Sequence, residues 1–310
     1  MKINELKEKM AVEMPMMVTQ VTSGVTNNGA PYLSVTFKDN TGTIDGKYWD
    51  VKEDQARLIK TGQILDVRAD VILYRGNLQL KIGAVEVLDQ DSFELSDFVQ
   101  GSPVPLEQLR ETIQDAIDSI DNFDIKAIVS AIYRKYDREI YSSPAAAKLH
   151  HEFAGGLATH TAGMLKLANA VLELYPALNG DLLIAGVLLH DIGKIRELHA
   201  GAVTEYTLEG KLLGHISISQ TMVQETADEL GIEGEAVILL RHMILAHHGQ
   251  YEFGSPVLPC LLEAEALHQI DDFDARMTMI AKALDTVKPG EFTPKMFMLD
   301  NRSFYKPKED

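Results

Sequence analysis

Leu188-Leu189-His190-Asp191-Ile192-Gly193-Lys194 is the stretch from which the rest of the chain is read. An apolar run leads into an adjacent imidazole and carboxylate, and a glycine and a lysine follow. His and Asp side by side can hold a divalent metal ion, and a lysine close behind can meet an anion drawn to that ion. The glycine is expected to break the helix that carries the pair. A dipeptide alone is a weak signal, and the distribution of histidine strengthens it. All 10 histidines fall between His150 and His268. One part of the chain therefore reads as a metal-centred domain, and the other as something different.

Further ligand-type groups lie on both sides of the pair. His150-His151 precede Gly155-Gly156-Leu157 and His160, in a stretch expected to become a long helix ending near Tyr175. His215 follows Gly214, His247-His248 precede Gly249, and Asp271 stands in Ile270-Asp271-Asp272-Phe273-Asp274. Each lies on or at the end of an expected helix, so the groups can project inward from several helices of a bundle. His160, His190, Asp191 and Asp271 are expected to form a first metal site. His215, His247 and His248, with Asp191 bridging, are expected to form a second. Two ions about 3.5–4 Å apart suit phosphodiester hydrolysis, because they clamp the phosphate, activate water and stabilise the leaving oxygen. Structural zinc would call for cysteines and closely spaced ligands, which the chain lacks. Asp191, Lys194 and His151 are the candidate catalytic residues, the last two as partners of the phosphate.

The other histidines take plainer readings. His199 and His268 are expected on the surface or in helix packing, and the helix face of His242 is left open. Asp271, Asp272 and Asp274 point in different directions on a helix at about 100° per residue. Only Asp271 is expected to meet a metal, and Asp274 with Arg276 is expected to support the helix.

A length of 310 residues allows two domains of about 100–200 residues. No apolar run approaches the ~20 residues of a membrane span, and the charged N-terminus has no signal-peptide character, so no membrane partner is expected. The lone Cys260 excludes an intramolecular disulfide, is expected as a buried inert thiol, and fits a cytoplasmic setting. The net charge of −17 argues against nucleic acid until it is divided. Residues 1–90 hold 11 Lys and Arg against 12 Asp and Glu, a net of −1, and the rest hold 18 against 34, a net of −16. The acid therefore lies with the histidines, where bound cations would offset part of it.

The first part has a period of two. Residues 1–12 read as a short amphipathic helix. Strands are expected at 16–22, 32–38 and 43–49, a helix over 52–60, and two more strands at 63–74 and 78–87 around Arg75-Gly76-Asn77. Three strands, a helix and two strands is the order of an OB-fold barrel. Such barrels hold single strands by stacking bases on aromatics beside cations. Tyr32, Lys47, Tyr48, Trp49, Arg68, Tyr74 and Arg75 are the candidates, with Phe37 and Trp49 also readable as core. Residues 91–105, with Gly101-Ser102-Pro103-Val104-Pro105, read as a linker. The domains are then a barrel over 1–90 and an all-helical unit over 106–310.

His160, His190-Asp191 and Asp271 resemble the HD-domain phosphohydrolase pattern, and His215 with His247-His248 resembles its binuclear subset. A barrel ahead of such a domain resembles the YhaM-like 3′–5′ exoribonucleases. The resemblance covers nearly the whole chain and includes Gly155-Gly156-Leu157, His190–Lys194, Ala246-His247-His248-Gly249, Gly254-Ser255-Pro256 and Asp271–Asp274. Thr159 stands where family members often carry an acid, and no Gly-Tyr-Pro follows His248. The resemblance implies two divalent ions, manganese favoured with magnesium, iron(II) or cobalt as alternatives. It implies removal of nucleotides from the 3′ end of single-stranded RNA, with DNA open. Two rival readings stand beside it: a mononucleotide phosphohydrolase, and a non-enzymatic single-strand-binding factor. Association into a homo-oligomer is also left open.

Overall fold

The computed structural model describes residues 1–26, 28–94, 97–98, 101–145, 153–199 and 204–308. The chain divides into two compact units, with the boundary between Gly101 and Ser102. The first unit is a barrel of five strands, β1 (Ala11–Val25), β2 (Pro31–Asp39), β3 (Gly42–Trp49), β4 (Ile64–Tyr74) and β5 (Asn77–Val87), with helix α1 (Glu53–Leu58) between β3 and β4. The strands close in the order β1-β2-β3-β5-β4. β1 pairs antiparallel with both β2 and β4, and β3 runs parallel to β5. Alternation places Val35, Phe37, Ile44, Tyr48, Leu65, Val67 and Leu80 inside. Gly46 belongs there because an added Cβ would stand 2.8 Å from Ile82 and 3.2 Å from Phe37.

The N-terminus differs from the helix expected of it. A single 3-10 turn spans Ile3–Glu5, and β1 begins at Ala11. The buried Asp39 carboxylate accepts the Ile3 N–H at 2.7 Å and the Thr41 N–H at 2.7 Å. Ile3 and Leu6 join the barrel core, so side-chain capture replaces the helical ladder that Lys2–Lys9 could have formed alone. Phe98 and Phe93 pack with Met17, Ile64 and Leu88 in a separate apolar cluster.

The second unit is helical: α2 (Leu106–Asp118), α3 (Phe123–Lys135), α4 (Asp137–Ser142), α5 (Gly156–Leu174), α6 (Gly180–Leu189), α7 (Lys194–Glu197), α8 (Leu208–Leu230), α9 (Glu235–Ala246) and α10 (Leu262–Asp285). Helix α6 is apolar all round, and every residue from Leu182 to Leu189 is buried, as expected of a helix enclosed by others. α3, α5, α9 and α10 surround it. Asn179 caps its start by accepting the Leu182 N–H at 3.1 Å. At its end Tyr133 donates its hydroxyl to Leu188 O at 2.9 Å. The His190-Asp191 pair is therefore delivered to the centre of the bundle by its most enclosed helix. Helix α8 bends at Gly214, whose φ is 70°, so His215 opens its second segment.

Candidate functional site

Five imidazoles meet around Asp191. His160 comes from α5, His190 from the end of α6, His215 from α8, and His247-His248 from the end of α9. Neighbouring rings are 5.4 Å apart for His160 and His190, 5.1 Å for His190 and His247, 5.3 Å for His215 and His248, and 4.3 Å for His247 and His248. Two ligand groups form, His160 with His190 and Asp191, and His215 with His247 and His248. Within each, one donor atom per residue lies within 4.8 Å of the others. Asp191 faces both groups. Its Oδ2 is 3.4 Å from His190 Nε2 and 3.8 Å from His160 Nε2, and its Oδ1 is 3.4 Å from His215 Nε2 and 3.9 Å from His247 Nε2. Asp271 Oδ1 stands 3.2 Å from His160 Nε2.

The rings are fixed through Nδ1, which leaves Nε2 directed inward. His190 Nδ1 donates to Val187 O at 2.9 Å, His247 Nδ1 to Ile244 O at 2.7 Å, and His248 Nδ1 to Phe253 O at 2.7 Å. The Nε2 atoms of His190, His215 and His247 are buried without a hydrogen-bond partner. Buried polar atoms are rarely left so. Three unsatisfied imidazole nitrogens beside a carboxylate that faces both groups fit a divalent cation, and no thiolate competes.

The electrostatics agree. Burial opposes charge on Asp191, but Lys194, His190 and His215 hold its carboxyl well below the usual range. Lys194 Nζ stands 2.6 Å from Asp191 Oδ2. Burial also opposes charge on Asp271, and the hydrogen bond from His160 overrides it downward. Burial would lower His160, but hydrogen bonds to Asp271 and Asp274 bring it up to about 9. Burial first, then neighbouring imidazoles, push His247 and His248 down, so both are neutral donors. Neutral imidazole and ionised carboxylate are the forms that bind metal, so His160, charged by the carboxylates beside it, must give up a proton to do so.

The structure thus brings together His160, His190, Asp191, His215, His247, His248, Asp271 and Lys194. His151 and His150 lie outside the described residues. His199 is exposed. His242 accepts the Cys260 N–H at 3.0 Å, and His268 donates to His247 O at 3.1 Å as a packing residue. Two expectations are corrected here. Asp274 does not pair with Arg276. It accepts from His160 Nδ1 at 2.7 Å, while Arg276 Nε is 2.6 Å from Asp272. Cys260 is exposed, because its apolar neighbours form a surface loop ahead of α10. Glu197, which sequence reading passed over, accepts both the backbone N–H of His215 at 3.0 Å and its Nδ1 at 3.2 Å.

On the barrel, Tyr32, Lys47 and Trp49 share the outer face of β2 and β3. The Tyr32 and Trp49 rings are 5.0 Å apart, and Lys47 Nζ lies 4.9 Å from the Tyr32 centroid. Tyr74 and Arg75 sit at the β4–β5 turn, with the guanidinium 5.4 Å from the ring. OB barrels use this strand face and this turn for oligonucleotides. Tyr48 is a correction: it is 6% exposed in the barrel core and donates to Gln55 Oε1 at 3.2 Å. Trp49, at 45%, is outside. Arg68 is tied to Glu13 at 2.7 Å, which offsets its charge.

Family models match both units: residues 17–88 match the OB-fold nucleic acid binding domain, and residues 157–276 match the HD domain. The chain is 45% identical over 297 residues to the 3′–5′ exoribonuclease YhaM of Geobacillus sp. (strain WCH70), covering 96% of this chain and 92% of that one. It is 44% identical to the YhaM exoribonuclease of Bacillus subtilis (strain 168), covering 96% and 95%. Among solved structures, a domain of replication protein A from Methanococcus maripaludis is similar at 23% identity and a TM-score of 0.25, over 29% of this chain and 94% of that one.

Proposed function

The chain belongs to the YhaM family of 3′–5′ exoribonucleases, and on that premise we propose that it hydrolyses single-stranded RNA one nucleotide at a time from the 3′ end, with single-stranded DNA as a second substrate. The observation that carries the reading is the pair of groups His160-His190-Asp191 and His215-His247-His248, both faced by the Asp191 carboxylate, with buried Nε2 atoms left unsatisfied. His160, His190, Asp191 and Asp271 would hold one divalent ion, and His215, His247, His248 and Asp191 the other. We favour manganese because the family resemblance implies it; the donors, imidazole and carboxylate without thiolate, admit it alongside other divalent ions. Bound there, the ions supply Lewis-acid polarisation of the phosphate and acidification of water.

The chain's own residues do the remaining work. Asp191 stays ionised against burial because Lys194 faces it. Lys194, 12% exposed at its side chain, would offer its ammonium to a non-bridging phosphate oxygen as well. His151 is proposed as a second phosphate contact. The outer face of the barrel, with Tyr32, Lys47, Trp49, Tyr74 and Arg75, holds the strand by stacking and charge while its end is cut. Residues 1–90 are then the holding domain, 91–105 the connection and 106–310 the hydrolytic domain. RNA as substrate places the work in the cytoplasm. Among the described residues, no helix is long and apolar enough to cross a membrane.

A 5′-labelled single-stranded RNA, incubated with the full chain and manganese, should shorten progressively as mononucleotides appear, and a chelator should stop it. Cleavage of a circular single strand would overturn the exonuclease reading.

A further inference from the structure

His248 donates Nδ1–H to Phe253 O in the turn that follows it; the other four imidazoles around Asp191 are held in two ways, and the difference follows from where each stands on its helix. His190 and His247 are the C-caps of α6 and α9, where the last carbonyls lack a helical partner. Each donates Nδ1–H to the carbonyl three residues back. His160 lies inside α5, where the carbonyls behind it serve the helix ladder. His215 follows the Gly214 bend. Each of these two takes a carboxylate from another helix: Asp274 of α10 at 2.7 Å from His160 Nδ1, and Glu197 of α7 at 3.2 Å from His215 Nδ1. Both carboxylates meet the ring at Nδ1, while Nε2 is the atom turned to Asp191. Neither is placed as a ligand. Glu197 is 7% exposed, and the His215 ring and backbone N–H converge on one of its oxygens. That fixes both the ring and the first residue after the bend.

We infer that Glu197 and Asp274 are positioning residues, one for each half of the metal centre. Asp274 aims His160 Nε2 into the group with His190 and Asp191, and Glu197 aims His215 Nε2 into the group with His247 and His248. The inference rests on the two-ion reading above. A carboxylate on the far nitrogen of a ligating imidazole fixes its tautomer and orientation and raises its basicity. Because the two carboxylates act on different groups from different helices, the affinities of the two halves are set separately.

The test is calorimetric titration of the metal-free full chain with manganese chloride, followed by elemental analysis. The parent should take up two ions. Glu197→Ala should keep one at parental affinity and bind the other about 100-fold more weakly. Glu197→Gln, whose amide oxygen still accepts both protons, should lose only about tenfold. Asp274→Ala should weaken one ion in the same way. His248→Ala identifies the half. Adding Glu197→Ala to it should leave the other ion at parental affinity, whereas adding Asp274→Ala should weaken both ions, as expected for changes in the same and in different groups. Should Glu197→Ala fail to fold, the tenfold loss confined to one ion in Glu197→Gln carries the test. Two ions at parental affinity in Glu197→Gln and in the alanine variants would overturn the positioning roles. So would equal weakening of both ions by Glu197→Gln, which would mark a general structural role. A parent that binds no ion would overturn the two-ion reading itself, a result distinct from either.

Discussion

Gly193 was expected to break the helix after the His-Asp pair, but its backbone, at φ −62° and ψ −18°, is one that any residue adopts. What it supplies is close approach. An alanine Cβ at this position would stand 2.4 Å from His215 O, 2.7 Å from Ser219 N and 2.8 Å from Ser219 Oγ. Ordinary carbon–oxygen contacts begin near ~3.3 Å, so α7 and α8 would have to separate by about 1 Å against backbone that cannot rotate away. Overpacking of this kind costs about 1–3 kcal/mol. The separation would also stretch the bond in which Gly193 N–H donates to Ser219 Oγ at 2.8 Å, worth about 0.5–1.5 kcal/mol. Gly193→Ala should therefore destabilise the helical unit by roughly 2–4 kcal/mol. The same movement draws His215 away from Asp191, and a misplacement of about 1 Å can lower turnover on the order of 10²-fold. Urea unfolding followed by circular dichroism and kcat on a short single-stranded RNA measure the two effects. Gly180→Ala is the control, since its nearest neighbour would be Leu172 Cδ1 at 3.7 Å. It should stay within about 0.5 kcal/mol of the parent. A Gly193→Ala chain with parental stability and turnover would refute the close-approach argument.

Asp191→Asn keeps the shape but removes the charge facing both ligand groups, so elemental analysis should find neither ion retained and hydrolysis should cease; two ions retained would sink the bridging role. The adjacent pair Tyr48 and Trp49 should separate folding from binding. Tyr48→Ala, inside the barrel, should cost about 3–5 kcal/mol in urea unfolding. Trp49→Ala should leave stability nearly unchanged and weaken single-strand binding by about 1–3 kcal/mol in a filter or anisotropy assay.

The barrel was legible because the period of two survives along each strand and turn residues separate the strands. The inward residues of β3 could have been assigned from the same parity. Ile44, Gly46 and Tyr48 share one face, and Thr43, Asp45, Lys47 and Trp49 the other. By that alternation Tyr48 belongs inside and Trp49 outside. Residues 1–12 depart from the expected helix for a different reason. Their helical composition is local, whereas the capture of Ile3 by Asp39 depends on a strand 36 residues away. Cys260 likewise takes its exposure from a loop that no apolar count reveals.

At the histidine–aspartate cluster, the residues proposed as ligands were legible and the carboxylates that hold two of the rings were not. A ligand must be an imidazole or a carboxylate, and it must recur at helical positions, so its identity survives in the sequence. A support need only be an acceptor that arrives within reach when two helices pack. Glu197 shows this: nothing between Lys194 and Leu198 marks it until the bend at Gly214 brings His215 to it. Asp274 was half legible: three residues on from Asp271 it lies only about 60° round α10, on nearly the same face rather than in the separate direction expected of it, but the partner assigned to it was local and the actual one lies on α5. Helix position nevertheless supplies a rule. The doublets His190-Asp191 and His247-His248 both stand at helix C-termini, where a backbone carbonyl is free to hold the first ring. The histidine inside a helix and the one behind a bend have no such carbonyl, and each needs an extra acid. On the two-ion reading, the acidic side chains here therefore exceed the ligands the centre would require, and part of the negative charge concentrated after residue 90 would aim imidazoles rather than meet cations.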